Sequence, residues 1–101
     1  MAFICVIEIH LHFTETGSLK GKRKELQALK AGLQRRFGAT VSETAHHDLW
    51  QRSTLSAALV GPKASTLGDA AAGLERWVMS QVPDGVRVDR AVVSFDEVLG
   101  R

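Results

Sequence analysis

Apolar and polar side chains alternate from the start of the chain. The odd-numbered positions from 3 to 11 are all apolar, while the even-numbered positions change from Ile4 and Val6 to Glu8, His10 and His12. A period of two residues predicts a β-strand of about ten residues. Because its first half is apolar on both sides, this strand is expected to lie centrally in a sheet.

A helical period follows the first strand. Ser18 is a suitable N-cap, and Gly38 occupies the position at which helices commonly end in a left-handed residue. Between them, the apolar positions fall on one stripe: Leu19, Leu26, Leu29, Leu33 and Phe37. This spacing predicts a long helix with one buried face.

The middle of the chain returns to a period of two. Residues 40–45 and 52–60 read as two strands, and residues 46–51 form the turn between them. Gly61 and Pro62 then end the second of these strands, because proline cannot donate to the sheet.

A second helix and a last strand complete the pattern. Ser65 is the predicted N-cap of this helix, whose apolar stripe contains Leu67, Ala71, Leu74, Trp77 and Val78. The tripeptide Pro83-Asp84-Gly85 is a strong turn signal. Residues 86–95 then form the fourth strand, with an irregularity expected near Asp89-Arg90.

The order strand, helix, strand, strand, helix, strand predicts an α+β fold of the ferredoxin-like, split βαβ type. Two right-handed crossovers place the strands in the spatial order four, one, three, two, with both helices on one face of the antiparallel sheet. We expect residues 1–101 to form a single domain. With 45% hydrophobic and 24% charged residues, the composition is that of a folded protein rather than a disordered one.

The sequence points to the cytoplasm. It has neither an apolar run of about 18 residues nor a basic leader, so we expect no membrane span and no signal peptide. Its one cysteine, Cys5, can form neither an internal disulfide nor a four-cysteine metal site, which fits a reducing compartment.

Basic residues are concentrated in the first helix. Residues 20–36 contain seven of the 13 lysines and arginines but only one of the 11 acidic residues, Glu25. Such a segment either binds an anionic partner or forms a solvated helix face. Lys22 falls on the apolar stripe, so we expect its side chain to extend past the end of the sheet and to direct its ammonium toward the histidines.

The predicted topology brings this basic segment to the edge where the first strand ends and the third begins, and all four histidines converge there. We expect this edge to bind RNA or another anion, and phosphate would suit it best. The indole of Trp50 either stacks on a base or covers the hairpin. The candidate residues are Lys20, Lys22, Arg23, Lys24, His10, His12, His46, Trp50 and Arg52.

The sheet face opposite the helices has an apolar half, formed by Ile4, Val6, Ala58 and Val60. An exposed patch of this kind is either a modest feature of a monomer or an interface, for example in a homodimer.

Catalysis and metal binding have weaker support. His10 and His12 share a strand face, but no cysteine or helical H-x-x-x-H pair accompanies them. Asp48 lies near a histidine without a positioned nucleophile, and Cys5 is expected to be buried. We therefore expect no enzyme activity, no metal and no cofactor.

Two runs of sequence carry a family resemblance: SLKGKR at residues 18–23 and DLWQR at residues 48–52. Together they resemble the signature stretches of the YlxP-like family, small bacterial proteins classed as a domain of unknown function. The resemblance implies a ferredoxin-like fold and a cytoplasmic protein. It also implies a gene near those for transcription termination, translation initiation and ribosome maturation factors. Gly21 departs from the family pattern, which more often has a charged residue there.

The first functional hypothesis is a non-enzymatic module that binds ribosomal or other structured RNA through the basic start of the first helix. The alternative is a homo-oligomeric structural or protein-interaction module that acts through the open sheet face.

Overall fold

Four strands and two long helices follow one another in the order strand, helix, strand, strand, helix, strand, and a short third helix follows the last strand. The computed structural model describes residues 1–14, 17–83 and 85–101. The elements are β1 Phe3–His12, α1 Leu19–Phe37, β2 Thr40–Ala45, β3 Arg52–Gly61, α2 Ala64–Gln81, β4 Val86–Ser94 and α3 Phe95–Leu99. Asp84, the centre of the predicted turn before β4, lies outside the described residues.

The strands form one antiparallel sheet in the order β2-β3-β1-β4. This order confirms the predicted ferredoxin-like topology and the central position of β1. Every residue of β1 lies opposite one of β3, from Phe3 opposite Gly61 to His12 opposite Arg52. The register therefore brings the end of β1 and the start of β3 to the same edge, as expected.

Both long helices cover one face of the sheet. The odd-numbered side chains of β1 point into this layer and are almost fully buried from Cys5 to Leu11, and the α1 stripe packs against them through Leu26, Leu29 and Leu33. The two helices approach closely at Gly32, where an added Cβ would overlap the ring of Trp77. Trp77 also packs against Phe37 at the border of the core, in agreement with its position on the apolar stripe of the second helix.

Both ends of α1 confirm the sequence prediction. The Ser18 hydroxyl accepts a hydrogen bond from the Gly21 amide (3.1 Å), and Gly38 ends the helix with a φ of 67°. The start of α2 differs from the prediction, because the Lys63 carbonyl already accepts a hydrogen bond from the Leu67 amide. Ser65 therefore lies inside the first turn and is not the N-cap.

The last strand also differs in two respects. It ends at Ser94, whose hydroxyl accepts a hydrogen bond from the Glu97 amide and caps α3. The irregularity expected at Asp89-Arg90 is absent, because Asp89 faces the open side of the sheet while Arg90 reaches Glu75 on α2 (3.2 Å). Among the described pairings, the register shift lies instead in β2, between Glu43 and Ala45.

Candidate functional site

A buried lysine stands at the start of α1. Lys22 is one turn before Leu26 on the buried stripe, and only 1% of it is exposed. Its Nζ donates to the carbonyl oxygens of His46 (2.5 Å) and Leu49 (2.6 Å) and lies 3.1 Å from Oε2 of Glu43. An ammonium group has three protons, and here each one has an acceptor. The predicted phosphate contact from Lys22 is therefore wrong, because the side chain turns inward to the turn after β2.

Glu43 is the anionic partner of this lysine. The Ser53 hydroxyl donates to its Oε2 (2.6 Å), and Nδ1 of the exposed His47 lies 3.3 Å from Oε1. Partial burial alone would raise the pKa of this carboxyl group. The hydrogen bonds from Ser53 and Lys22, together with the charges of Lys22 and His47, outweigh that effect and lower its pKa below the ordinary value. The sequence reading missed both Glu43 and Ser53.

Lys22 joins the two sequence runs that carry the family resemblance. The run at residues 18–23 begins α1, and the run at residues 48–52 leads into β3. The turn between β2 and β3 contains His46 in a left-handed conformation (φ 65°), and its carbonyl oxygen also accepts from the Leu49 amide. Because a buried ammonium is costly unless fully paired, these contacts fix the turn against the helix.

Three other cations of the first run are exposed. Lys20, Arg23 and Lys24 have the i, i+3, i+4 spacing that places side chains on one face of a helix. The first turn of α1 has no acidic residue, and the ion pairs formed by described residues include none of these three side chains. The structure thus places a group of unpaired positive charges on the exposed face of the first two turns of α1, while Lys22 on the buried face of the same segment contacts the turn.

The turn itself presents two large apolar side chains to solvent. Leu49 is 48% exposed and Trp50 is 39% exposed. The Phe13 amide, just after β1, donates to the carbonyl oxygen of Gln51 (2.7 Å), which ties the turn to the end of β1 as well. Whether the indole of Trp50 stacks on a base stays a prediction.

The four histidines lie at the same end of the molecule but form no single cluster. His46 and His47 belong to the turn, while His10 and His12 lie on the open face of the sheet. His12 is exposed and pairs in register with Arg52. Nε2 of His10 lies 3.2 Å from Oδ2 of Asp89, so His12 rather than His10 extends the cationic edge.

The predicted interaction face lies where the sequence placed it. Val6 is 46% exposed and Val60 is 64% exposed on the side of the sheet opposite the helices. Strand β4 widens this apolar half, because its side chains lie opposite those of β1. The cross-strand pairs are Ile4–Val60, Val6–Ala58, Ile4–Val93 and Val6–Ala91.

Cys5 is fully buried in the core. Burial raises the pKa of its thiol, and the positive charge of Arg90 offsets this only in part. A buried thiol of raised pKa is a poor nucleophile, in agreement with the sequence reading of this residue.

The topology and the open sheet face define the class of the protein as a ferredoxin-like α+β domain. The family model described as "Protein of unknown function (DUF503)" matches residues 4–90. The chain therefore belongs to the DUF503 family. No curated protein matches it significantly.

Solved structures with a similar fold include a designed protein and part of a peptidase. The de novo designed protein Foldit4 superimposes with a TM-score of 0.63 at 8% identity, over 93% of this chain and 98% of that one. The Bacillus subtilis YXEP protein, a dinuclear metal-binding peptidase of the M20 family, gives a TM-score of 0.60 at 13% identity. That alignment covers 94% of this chain but only 26% of the peptidase. Both likenesses concern the fold alone.

Among the described residues, the two long helices are too polar to cross a bilayer.

Proposed function

We propose that this protein is a non-enzymatic module that binds structured RNA through the exposed start of α1. The observation that carries the proposal is the group of unpaired cations formed by Lys20, Arg23 and Lys24. Charges of one sign on one helix face raise the local concentration of a polyanion, and each phosphate contact releases counterions.

The position of these cations supports an anionic partner. The start of a helix carries partial positive charge and unpaired amide groups, so additional cations there are unfavourable until an anion offsets them. Lys22 would act as a positioning residue, because it anchors the start of α1, which carries the cations, to the turn without contacting RNA itself. Trp50, Arg52 and His12 would extend the surface along the same edge.

Ribosomal RNA is the first ligand to test. The two sequence runs resemble the YlxP-like family, and that resemblance implies genes near those for translation initiation and ribosome maturation. The runs meet in this structure at the side chain of Lys22, which belongs to the same segment of α1 as the exposed cations. We assign one task to the two sequence runs, which is to present a rigid cationic edge.

Fluorescence anisotropy with a labelled ribosomal RNA fragment, at several salt concentrations, tests the proposal. The variant carries Lys20→Gln, Arg23→Gln and Lys24→Gln. We expect weaker binding and a slope of log K against log salt reduced by about 2, because each lost phosphate contact removes about 0.7 to 0.9.

A matched control loses the same charge elsewhere, through Arg35→Gln, Lys63→Gln and Arg76→Gln, all at exposed positions. Its affinity should change much less. Equal losses in the two triple variants would show only a net-charge effect and would contradict the assigned site. Stronger binding to a DNA duplex of equal length would contradict RNA recognition.

A second candidate function, self-association through the open sheet face, is favoured by the exposure of Val6 and Val60. Apolar side chains that lie side by side on two strands lose contact with water when a second copy covers them. Light scattering at several protein concentrations distinguishes this candidate, and a monomer at every concentration would contradict it.

A further inference from the structure

Three possible metal ligands meet on the polar half of the open sheet face. Glu8 and His10 lie two residues apart on β1, and Asp89 on β4 is directly opposite Glu8. One ligand atom from each side chain lies within 4.8 Å of the other two. In the described part of the chain, no other group of three such residues is this close.

The two carboxylates of this cluster are unfavourable without a cation. Like charges directly opposite each other on neighbouring strands repel. Arg87 relieves only one of them, since its Nη1 lies 2.8 Å from Oδ2 of Asp89. Glu8 is exposed, and the hydrogen bonds and ion pairs among described residues do not include its side chain. One negative charge therefore remains without a partner.

The imidazole of His10 is oriented for a cation as well. Its Nδ1 lies 3.4 Å from the Thr54 hydroxyl, which can accept the Nδ1 proton. In that tautomer the lone pair of Nε2 faces Oδ2 of Asp89 at 3.2 Å. In the other tautomer Nε2 would donate a hydrogen bond to Asp89, whereas in this one both lone pairs can bind a metal ion placed between them. A hydrogen bond from the second ring nitrogen is also what fixes histidine ligands in metal sites.

We propose that Glu8, His10 and Asp89 form a binding site for Zn²⁺. One imidazole nitrogen with two carboxylates is a donor set that zinc accepts, and water would take the remaining position. The 3.2 Å between Nε2 and Oδ2 is near the roughly 3.4 Å expected for two ligands of a tetrahedral zinc with bonds of about 2.1 Å. This site is independent of the RNA proposal, because it uses none of the exposed cations on α1.

Titration calorimetry with zinc chloride, on tag-free protein in a non-chelating buffer at neutral pH, tests the site. We expect one zinc ion per chain with a micromolar Kd. His10→Gln and Asp89→Asn should each raise Kd at least tenfold, while His12→Gln, on the same strand face, should leave it unchanged. Arg87→Gln should lower Kd, because it frees Oδ2 of Asp89. Magnesium chloride should give no saturable binding.

The histidine ring resonances in NMR spectra give a second measurement that does not depend on the variants. Zinc should shift the ring signals of His10 and leave those of His12, His46 and His47 in place. Absence of saturable zinc binding would overturn the proposal. Unchanged affinity in His10→Gln, or shifts at the other histidines, would overturn it equally.

Discussion

The buried ammonium of Lys22 makes the most direct prediction about stability. Lys22→Met keeps the apolar stem of the side chain but removes all three contacts of Nζ. The carbonyl oxygens of His46 and Leu49 then lose a donor, and Glu43 loses its cation. Since a partner removed from a buried pair costs about 3–5 kcal/mol, and Glu43 is partly solvated, we expect a loss of about 3 kcal/mol.

This loss is large for a chain of 101 residues. Domains of this size have unfolding free energies of roughly 5–15 kcal/mol, so Lys22→Met should lower Tm by about 15 °C. The measurement is urea unfolding, followed by circular dichroism and tryptophan fluorescence. Lys24→Met is the matched control on the exposed face of the same helix, and its stability should stay within about 0.5 kcal/mol of the wild type.

A double-mutant cycle with Glu43→Gln separates the ion pair from the two carbonyl contacts. The amide removes the charge that Lys22→Met leaves unpaired, so the double variant should lose less stability than the two single variants together. We expect a coupling energy of about 1–2 kcal/mol. A Lys22→Met protein as stable as the wild type, or as little changed as Lys24→Met, would refute the inference that the buried ammonium holds the turn.

Three other predictions concern pH, packing and self-association. The folded pKa of Glu43 lies below its ordinary value near 4.5, so its stabilising contribution is complete above that pH and is lost as the pH falls through the folded pKa. Between pH 6 and pH 3, the unfolding free energy of Glu43→Gln should therefore decline less than that of the wild type. Gly32→Ala should cost about 1–2 kcal/mol in urea unfolding, because the new methyl group overlaps the ring of Trp77. In Gly68→Ala, where the space is open, stability should rise by about 0.5–1 kcal/mol, and an equal effect in both variants would contradict the packing argument. If the open face joins two copies, Val60→Asp should convert the dimer to a monomer in light scattering, and a dimer that persists would exclude that face.

The periodicity of side chains was sufficient to predict the sheet order, both ends of α1 and the open face. These features depend on which positions are apolar and on the capping residues Ser18 and Gly38, and both are visible in a sequence. The short helix α3 could also have been predicted from the sequence, because Ser94 and Glu97 have the spacing of a capping box. The prediction extended the strand to residue 95 instead, since Val92, Val93 and Phe95 are good strand formers.

The ammonium of Lys22 does point toward the histidines, as expected, but its burial and its partners could not be predicted in the same way. The helical period placed it on the buried stripe, but lysine is rarely buried, and two of its acceptors are backbone carbonyl oxygens in a turn. Side-chain patterns do not specify where carbonyl groups point. The sequence did indicate that the Glu43 side chain faces the helices, because the period of two puts it on the same face of β2 as Val41. Likewise, the predicted sheet order makes β4 a neighbour of β1, but the register that sets Asp89 opposite Glu8 follows only from the folded chain.

The two outer strands of the sheet restrict how the protein can associate. Strand β2 has only six residues and a register shift, which leaves little regular backbone for another strand to pair with. Strand β4 is longer, but Arg87, Asp89 and Arg90 place charges along its middle. Short, irregular or charged edges oppose the addition of strands from other molecules. Growth of the sheet into fibrils is therefore disfavoured at both borders. If copies of the chain associate, these edges direct the contact to the open face of the sheet, where a second copy would leave no further face to cover.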